Sequence, residues 1–458
     1  MYDLIIKRDE LAVENFYGFG VEWDPLFWHD FNLKQGVTEA DWDLIQKRIK
    51  WMEIPIIRMQ MLTHWVYKGN NNYDWNSKEM QSLYRHLDIC QQEHIPVILT
   101  DWGIETWAPV LDIKDTADPK YAEVIGTYLD YLIKKKGYTC IKYFIFVNEP
   151  NHELVGWKWW QRWGRWKKGF KQLITLANER NLSGTLKFFG PDTGMAYQIW
   201  HKRAVKQISN LIDSYSLHYY GDDHVGCLKS FFLRKKSIKK GQFQKFFEKR
   251  WNYVHENDSE GRQKPLITCE IGLNESAEHP IGNRKIGTFW YGLAITDFAI
   301  QIVRAGSWSV IAWMLDDTCH EGFYWGMWAG KKENFRLRPW FYPWALLAKL
   351  IPPHSIIYQV KNPNKYVRVL TAQVSTESRK GWTFCIVNRA NTDISLNIHI
   401  PDEGCADFNY FLYSKTEMPK DQDGFPIPKS TISYNFNEKI ELFCPSNAIV
   451  FLSSVKFP

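Results

Sequence analysis

Two carboxylates stand where this chain could use them. Residues 144–151 read FIFVNEPN: the apolar run Phe144 to Val147 leads into Asn148, Glu149 and Pro150, so a buried strand ends on an acid. Residues 266–270, LITCE, repeat the arrangement and deliver Glu270. In parallel α/β folds the groups that do chemistry stand at the carboxyl ends of strands. A pair of such acids is what retaining glycoside hydrolysis requires. One protonates the leaving oxygen and the other attacks the anomeric carbon, with roughly 5–5.5 Å between the carboxyl groups. Their surroundings must keep one glutamate protonated and the other ionised. Either residue alone reads equally well as a cap or an ion-pair partner, so the pairing carries the argument.

The elements that would position them alternate in period. Tyr17 to Val21 is a glycine-rich strand, followed by a helix whose apolar face is Trp42, Ile45, Ile49 and Met52, behind a Thr38/Asp41 cap. Ile54 to Met59 is the next strand and carries Arg58; Ile95 to Leu99 ends at Asp101-Trp102. The strand before Glu149 is the fourth. Leu186 to Phe189 ends at Gly190-Pro191-Asp192, Ser214 to Leu217 at His218-Tyr219-Tyr220, Leu266 onward at Glu270, and Ser309 onward at Trp313. Helical spacing fills each gap, including Phe289 to Val303. Eight strand–helix repeats over residues 15–351 predict an α/β fold, a (β/α)8 TIM barrel. A doubly wound open sheet is the runner-up, but no GxGxxG or GxxxxGK follows the first strand.

Past Pro352-Pro353 the texture changes to short strands split by Gly, Asn, Asp and Pro, among them Tyr366 to Leu370, Thr383 to Val387 and Ile449 to Leu452. This predicts a C-terminal β-sandwich domain over 352–458. Residues 1–14 read as a single short strand that could join it.

With Glu149 and Glu270 at the fourth and seventh strands, the barrel resembles the clan A glycoside hydrolases. The resemblance covers the barrel in order and implies residue roles. Asn148-Glu149-Pro150 matches the acid/base motif and Glu270 the nucleophile; Arg58 matches the arginine that holds the nucleophile ionised. His218-Tyr219-Tyr220 is similar to the clan's His-x-Tyr, in which Tyr220 would hydrogen-bond the nucleophile and His218 line the site. Trp313 matches the aromatic floor under the reactive sugar. Asn148 would hydrogen-bond the sugar 2-hydroxyl. Trp102 and Glu22 are read as contacts to the glycone, and Asp316 and Asp317 as hydroxyl ligands or caps. Trp23, Trp325 and Trp328 fall in loops of the same face, and the run Trp157, Trp159, Trp160, Trp163 and Trp166 divides between outer subsites and core.

A barrel followed by a sandwich that recruits the N-terminal strand is similar to the family 39 and family 30 types. The implied activity is hydrolysis of β-linked, or equivalent α-L-linked, glycosides. The competing expectation is a non-catalytic carbohydrate-binding or scaffold protein on a glycosidase-like barrel.

Composition agrees with a carbohydrate partner, an oligo- or polysaccharide or a glycoside. Among 458 residues there are 23 Trp, whose flat faces suit the C–H faces of sugars. A net charge of +6 is modest for this length and argues against a dedicated nucleic-acid binder. The basic run Lys229 to Arg250 reads as a solvated helix face with Phe243, Phe246 and Phe247 turned inward; fringing a cleft, it would also attract an acidic glycan. The eight Cys show no CxxC or paired spacing, so no metal, cofactor or disulfide framework is expected. No run of membrane-spanning length occurs, and the N-terminus lacks a signal-peptide pattern. A cytoplasmic protein is expected, or a secreted one if a leader was removed.

Overall fold

The computed structural model describes residues 1–105, 110, 112–154, 156, 158–221, 237–273, 285–402 and 404–457. Trp157, Cys227 and the part of the basic run from Lys229 to residue 236 lie outside the described residues. Two strands, β1 (Tyr2–Ile5) and β2 (Leu11–Phe16), precede the barrel. The barrel strands are β3 (Gly18–Glu22), β4 (Ile57–Met61), β5 (Val97–Asp101), β6 (Ile141–Ile145), β7 (Lys187–Thr193), β8 (Ser214–Gly221), β9 (Leu266–Leu273) and β10 (Ser309–Ala312). They close in sequence order, with β10 returning to β3. Every pairing is parallel. Strands covered on both faces are apolar runs rather than alternating ones, and β4, β5 and β9 are buried at every position.

The helices show the expected stripe. Helix Glu39–Met52 begins with a reciprocal capping box between Thr38 and Asp41 and buries Trp42, Ile45, Ile49 and Met52. Helix Phe289–Arg304 is apolar nearly all round because it lies between barrel and C-terminal sheets, and among its residues only Trp290 is well exposed. There Asp297 meets Arg368 at 3.0 Å, and Arg304 donates to the carbonyls of Val369 and Val360.

The C-terminal strands are β11 (Ser355–Tyr358), β12 (Val367–Ser375), β13 (Lys380–Asn388), β14 (Ile394–His399), β15 (Cys405–Tyr413), β16 (Ser430–Asn435), β17 (Ile440–Cys444) and β18 (Ala448–Ser453). They form a seven-stranded sheet, β16-β15-β18-β13-β12-β11-β2, and a three-stranded one, β1-β14-β17, with an apolar core between them. The N-terminal segment does join the sandwich, but as two strands rather than one. The turn at residues 8–9 sends β1 to one sheet and β2 to the other. Strands β11 and β16 were not legible in the sequence; every residue of β16 is exposed or only part-buried, so it carries no alternating apolar signal. No helix among the described residues is long and apolar enough to cross a membrane.

Candidate active site

Strand register brings the candidate residues together before any side chain is considered. Glu22 at the end of β3 is paired with Arg58 on β4, and His218 on β8 is paired with Glu270 on β9. Two irregularities re-aim side chains at this end. The β7–β8 ladder slips between Pro191 and Thr193, leaving Asp192 as the extra residue, and the β8–β9 ladder slips beside His218. Glu149 follows β6 with left-handed backbone (φ 36°) and opens the short helix Pro150–Glu153, whose first position is a proline. That turn brings the carboxylate back over the barrel mouth. It fits because residue 194 is glycine: a Cβ there would stand 2.7 Å from the Glu149 carboxyl carbon.

At the bottom of the site Arg58 is completely buried and forks between four acceptors. Its Nη1 donates to Glu22 Oε2 at 2.7 Å and to Glu270 Oε2 at 3.2 Å, and its Nη2 to Asn148 Oδ1 at 2.7 Å and Asp192 Oδ2 at 3.2 Å. A planar guanidinium can do this; an ammonium cannot. Above it His218, also fully buried, places Nδ1 3.0 Å from Glu149 Oε1 and 3.4 Å from Glu270 Oε2, while Nε2 lies 3.1 Å from Asp192 Oδ1. Tyr220 donates its hydroxyl to Glu270 Oε1. One carboxylate oxygen of each glutamate and a ring nitrogen of His218 all lie within 4.8 Å of one another. Glu149 is the more accessible acid, with its side chain 20% exposed against 7% for Glu270.

The electrostatics divide the two acids, in the opposite sense to the one a resting proton donor needs. Burial raises the His218-facing carboxyl of Glu149, but the hydrogen bond and charge of His218 outweigh it and hold Glu149 below the usual carboxylate range. Glu270 goes the other way: burial pushes it up to about 7, against the pull of His218 and Arg58 and with the push of Glu149 and Glu22. On His218, burial disfavours the cation, but Asp192 and Glu270 outweigh it and raise the imidazole to about 10. Glu22 is pushed up to about 8 by burial, with Arg58 opposing. The neighbouring carboxylates therefore favour the protonated imidazole, whose Nδ1 lies 3.0 Å from Glu149 Oε1. The Glu149–His218–Glu270 cluster has the spacing of metal ligands, but a protonated imidazole and the Arg58 guanidinium both oppose a cation there.

Around the mouth Trp313, Met314 and Phe323 pack together, with Trp102, Tyr220 and Trp325 partly buried against them. Trp325 stands edge-on to Tyr220, ring centroids 5.9 Å apart. Trp23 and Trp328 are buried packing, and Trp23 lies against Trp42 and His86. Glu22 has no surface to offer a glycone; it lies beneath the site as the partner of Arg58. Asn148 accepts from Arg58 and Gln60 through its Oδ1. Asp317 accepts from the backbone of Trp325 and Gly326 and pairs with Arg338, while Asp316 accepts from Thr318, so both order the loop. In the run after Glu149, Trp163 and Trp166 are core, whereas Trp159 and Trp160 are exposed. Phe243, Phe246 and Phe247 turn inward. Sequence reasoning did not single out Asp192, although a carboxylate ending the fifth barrel strand is the same kind of signal that marked Glu149 and Glu270.

No protein-family model matches the chain, and no curated protein matches it in sequence. Solved structures do match in fold. A GH30 endoxylanase from Clostridium papyrosolvens superposes with a TM-score of 0.66 at 12% identity, over 99% of this chain and 100% of that one. The family 51 α-L-arabinofuranosidase AbfB from Bifidobacterium longum gives 0.67 at 12% identity, over 99% of both chains. An α-L-arabinofuranosidase from Thermotoga maritima gives 0.66 at 11% identity, over 100% of both. The chain thus shares its whole-length architecture, barrel and sandwich together, with family 30 and family 51 structures.

Proposed function

We propose that the chain is a retaining glycoside hydrolase in which Glu149 is the acid/base and Glu270 the nucleophile. The observation that carries this reading is the approach of the two carboxylates, with oxygens within 4.8 Å. Retaining pairs stand about 5–5.5 Å apart and inverting pairs about 6.5–9.5 Å, since the latter must admit a water between the general base and the substrate. The fold neighbours act on xylan or on arabinofuranosides by their names, which suits β-xylosides and α-L-arabinofuranosides as first substrates.

A proton on His218 fits a sequence of steps. His218 Nδ1 passes its proton to Glu149 Oε1, leaving a neutral imidazole beside Asp192. Glu149 then protonates the glycosidic oxygen as the C–O bond breaks, and ionised Glu270 bonds to the anomeric carbon. Arg58 and the Tyr220 hydroxyl hold that carboxylate in line. Water, deprotonated by Glu149, releases the sugar and restores the proton.

The test is turnover of aryl glycosides of several sugars by the wild type, Glu149→Gln and Glu270→Gln. Both variants should fall by about 10³-fold or more. Glu270→Gly with azide should yield the glycosyl azide of inverted configuration. Wild-type-like turnover in either Gln variant, or a retained azide product, would overturn the roles.

A further inference from the structure

Beside Glu149 the catalytic face holds a cavity of about 200 Å³. It shares a wall with the proton donor. Asn151 and His152, which follow Glu149 directly, line it together with Gly194, the residue whose missing Cβ makes room for the Glu149 carboxylate. In the reaction read above, on which this inference rests, the leaving group departs on the side of the acid. The cavity is therefore placed to receive the aglycone.

Most of its lining is apolar. Trp200, nearly buried and edge-on to Trp163 at 5.1 Å, is one side, and Trp159, Met195, Tyr197 and Ile199 are others. Trp159 is 64% exposed, Tyr197 44%, Ile199 45% and Met195 38%, so four large apolar side chains are left to solvent around one hollow. Its polar lining is Asn151, His152 and Arg203, of which Asn151 is committed elsewhere. The Asn151 amide closes on Gly194 in both directions, accepting from its N–H at 2.9 Å and donating to its carbonyl at 3.2 Å. Arg162 caps the Asn151 carbonyl at 2.6 Å. A pyranose brings several hydroxyls, each costly to leave without a partner. An apolar cavity of about 150 Å³ holds a benzene ring, so this one accommodates a ring and a short linker.

We propose that this cavity is an aglycone site for an aromatic alcohol, of the benzyl or phenylethyl type. In the first step Glu270 bonds to the anomeric carbon, the glycosidic C–O bond breaks, and the arylalkanol leaves with the proton from Glu149.

The experiment compares kcat/KM for benzyl and methyl glycosides of the same sugar, drawn from β-xylosides, β-glucosides, β-galactosides and α-L-arabinofuranosides. The two alcohols are similarly acidic, so the ratio reports occupancy of the cavity rather than leaving ability. The benzyl glycoside should be preferred by about tenfold or more, and that ratio should drop about tenfold in Ile199→Asp and in Tyr197→Ser. A ratio near one, an unchanged ratio in both variants, or a disaccharide of the same glycone cleaved faster than the benzyl glycoside overturns the proposal. Ligand-observed NMR with benzyl alcohol reads the cavity without turnover. Binding that is lost in Ile199→Asp, with no glycoside cleaved, keeps the cavity and brings down the hydrolase reading. Turnover without benzyl preference does the reverse, and neither binding nor turnover removes both.

Discussion

The two ends of the barrel differ in what they do with charge. At the strand starts lies the larger hollow, about 810 Å³, lined by Tyr143, Lys187, Asp213 and Lys264 among others. Its charges are settled in local pairs: Lys187 with Asp213 at 3.1 Å and Lys264 with Asp258 at 2.9 Å. At the strand ends, Glu22, Asp192, Glu149 and Glu270 converge on one guanidinium and one imidazole, all but Glu149 essentially buried. No carboxylate there has a cation to itself, so every pKa depends on its neighbours'. Volume alone favours the strand starts, whereas shared charge marks the strand ends.

The largest test of that contrast is Arg58→Lys. A point ammonium cannot serve four acceptors, so kcat should fall by about 10²–10³ with the protein still folded by circular dichroism. A fall below tenfold would mean that the buried fork is ordinary packing.

The pH profile comes next. Glu270 must be ionised to attack, and its raised pKa means that it is protonated below about 7, so kcat/KM should be lost as pH falls through that value. The alkaline limb should follow loss of the His218 proton, near 10. Asp192→Asn removes the largest influence holding that proton and should move the alkaline limb downward, with about tenfold loss at neutral pH. An alkaline limb that stays put would separate Asp192 from the His218 proton.

Gly194→Ala puts a methyl group against the Glu149 carboxyl and should lower kcat more than it changes KM, by about tenfold, since a displaced proton donor still binds substrate. Smallest of all is Lys187→Ala at the other end. It breaks a pair whose members are 56% and 36% exposed, so activity should stay within about twofold and stability within ~1 kcal/mol by denaturant titration. A large loss of activity there would erase the distinction between the two ends.

The barrel was legible because its repeats carry their period in the chain, and the C-terminal module because Gly, Asn and Pro punctuate it. The placement of Glu149, Glu270 and Tyr220 toward strand ends followed from the same pattern, whereas Arg58, read as ending its strand, is the second residue of β4. Glu22 shows the limit. From sequence it reads as a residue of a loop mouth, yet strand register pairs it with Arg58 and closes it off from solvent. Asp192 shows it again, since a one-residue slip in the ladder turns it into the site.

Sequence by itself thus determined the architecture and the pairing of Glu149 with Glu270, because strand period and strand ends are local properties. The tertiary structure alone decided which way each pKa moves. Burial and distance set that, summed over residues as far apart as 58, 149, 192, 218 and 270, and no local pattern encodes the sum. The same holds for the cavity beside Glu149. Its walls come from separate segments, and only their packing gathers those large apolar side chains around one hollow.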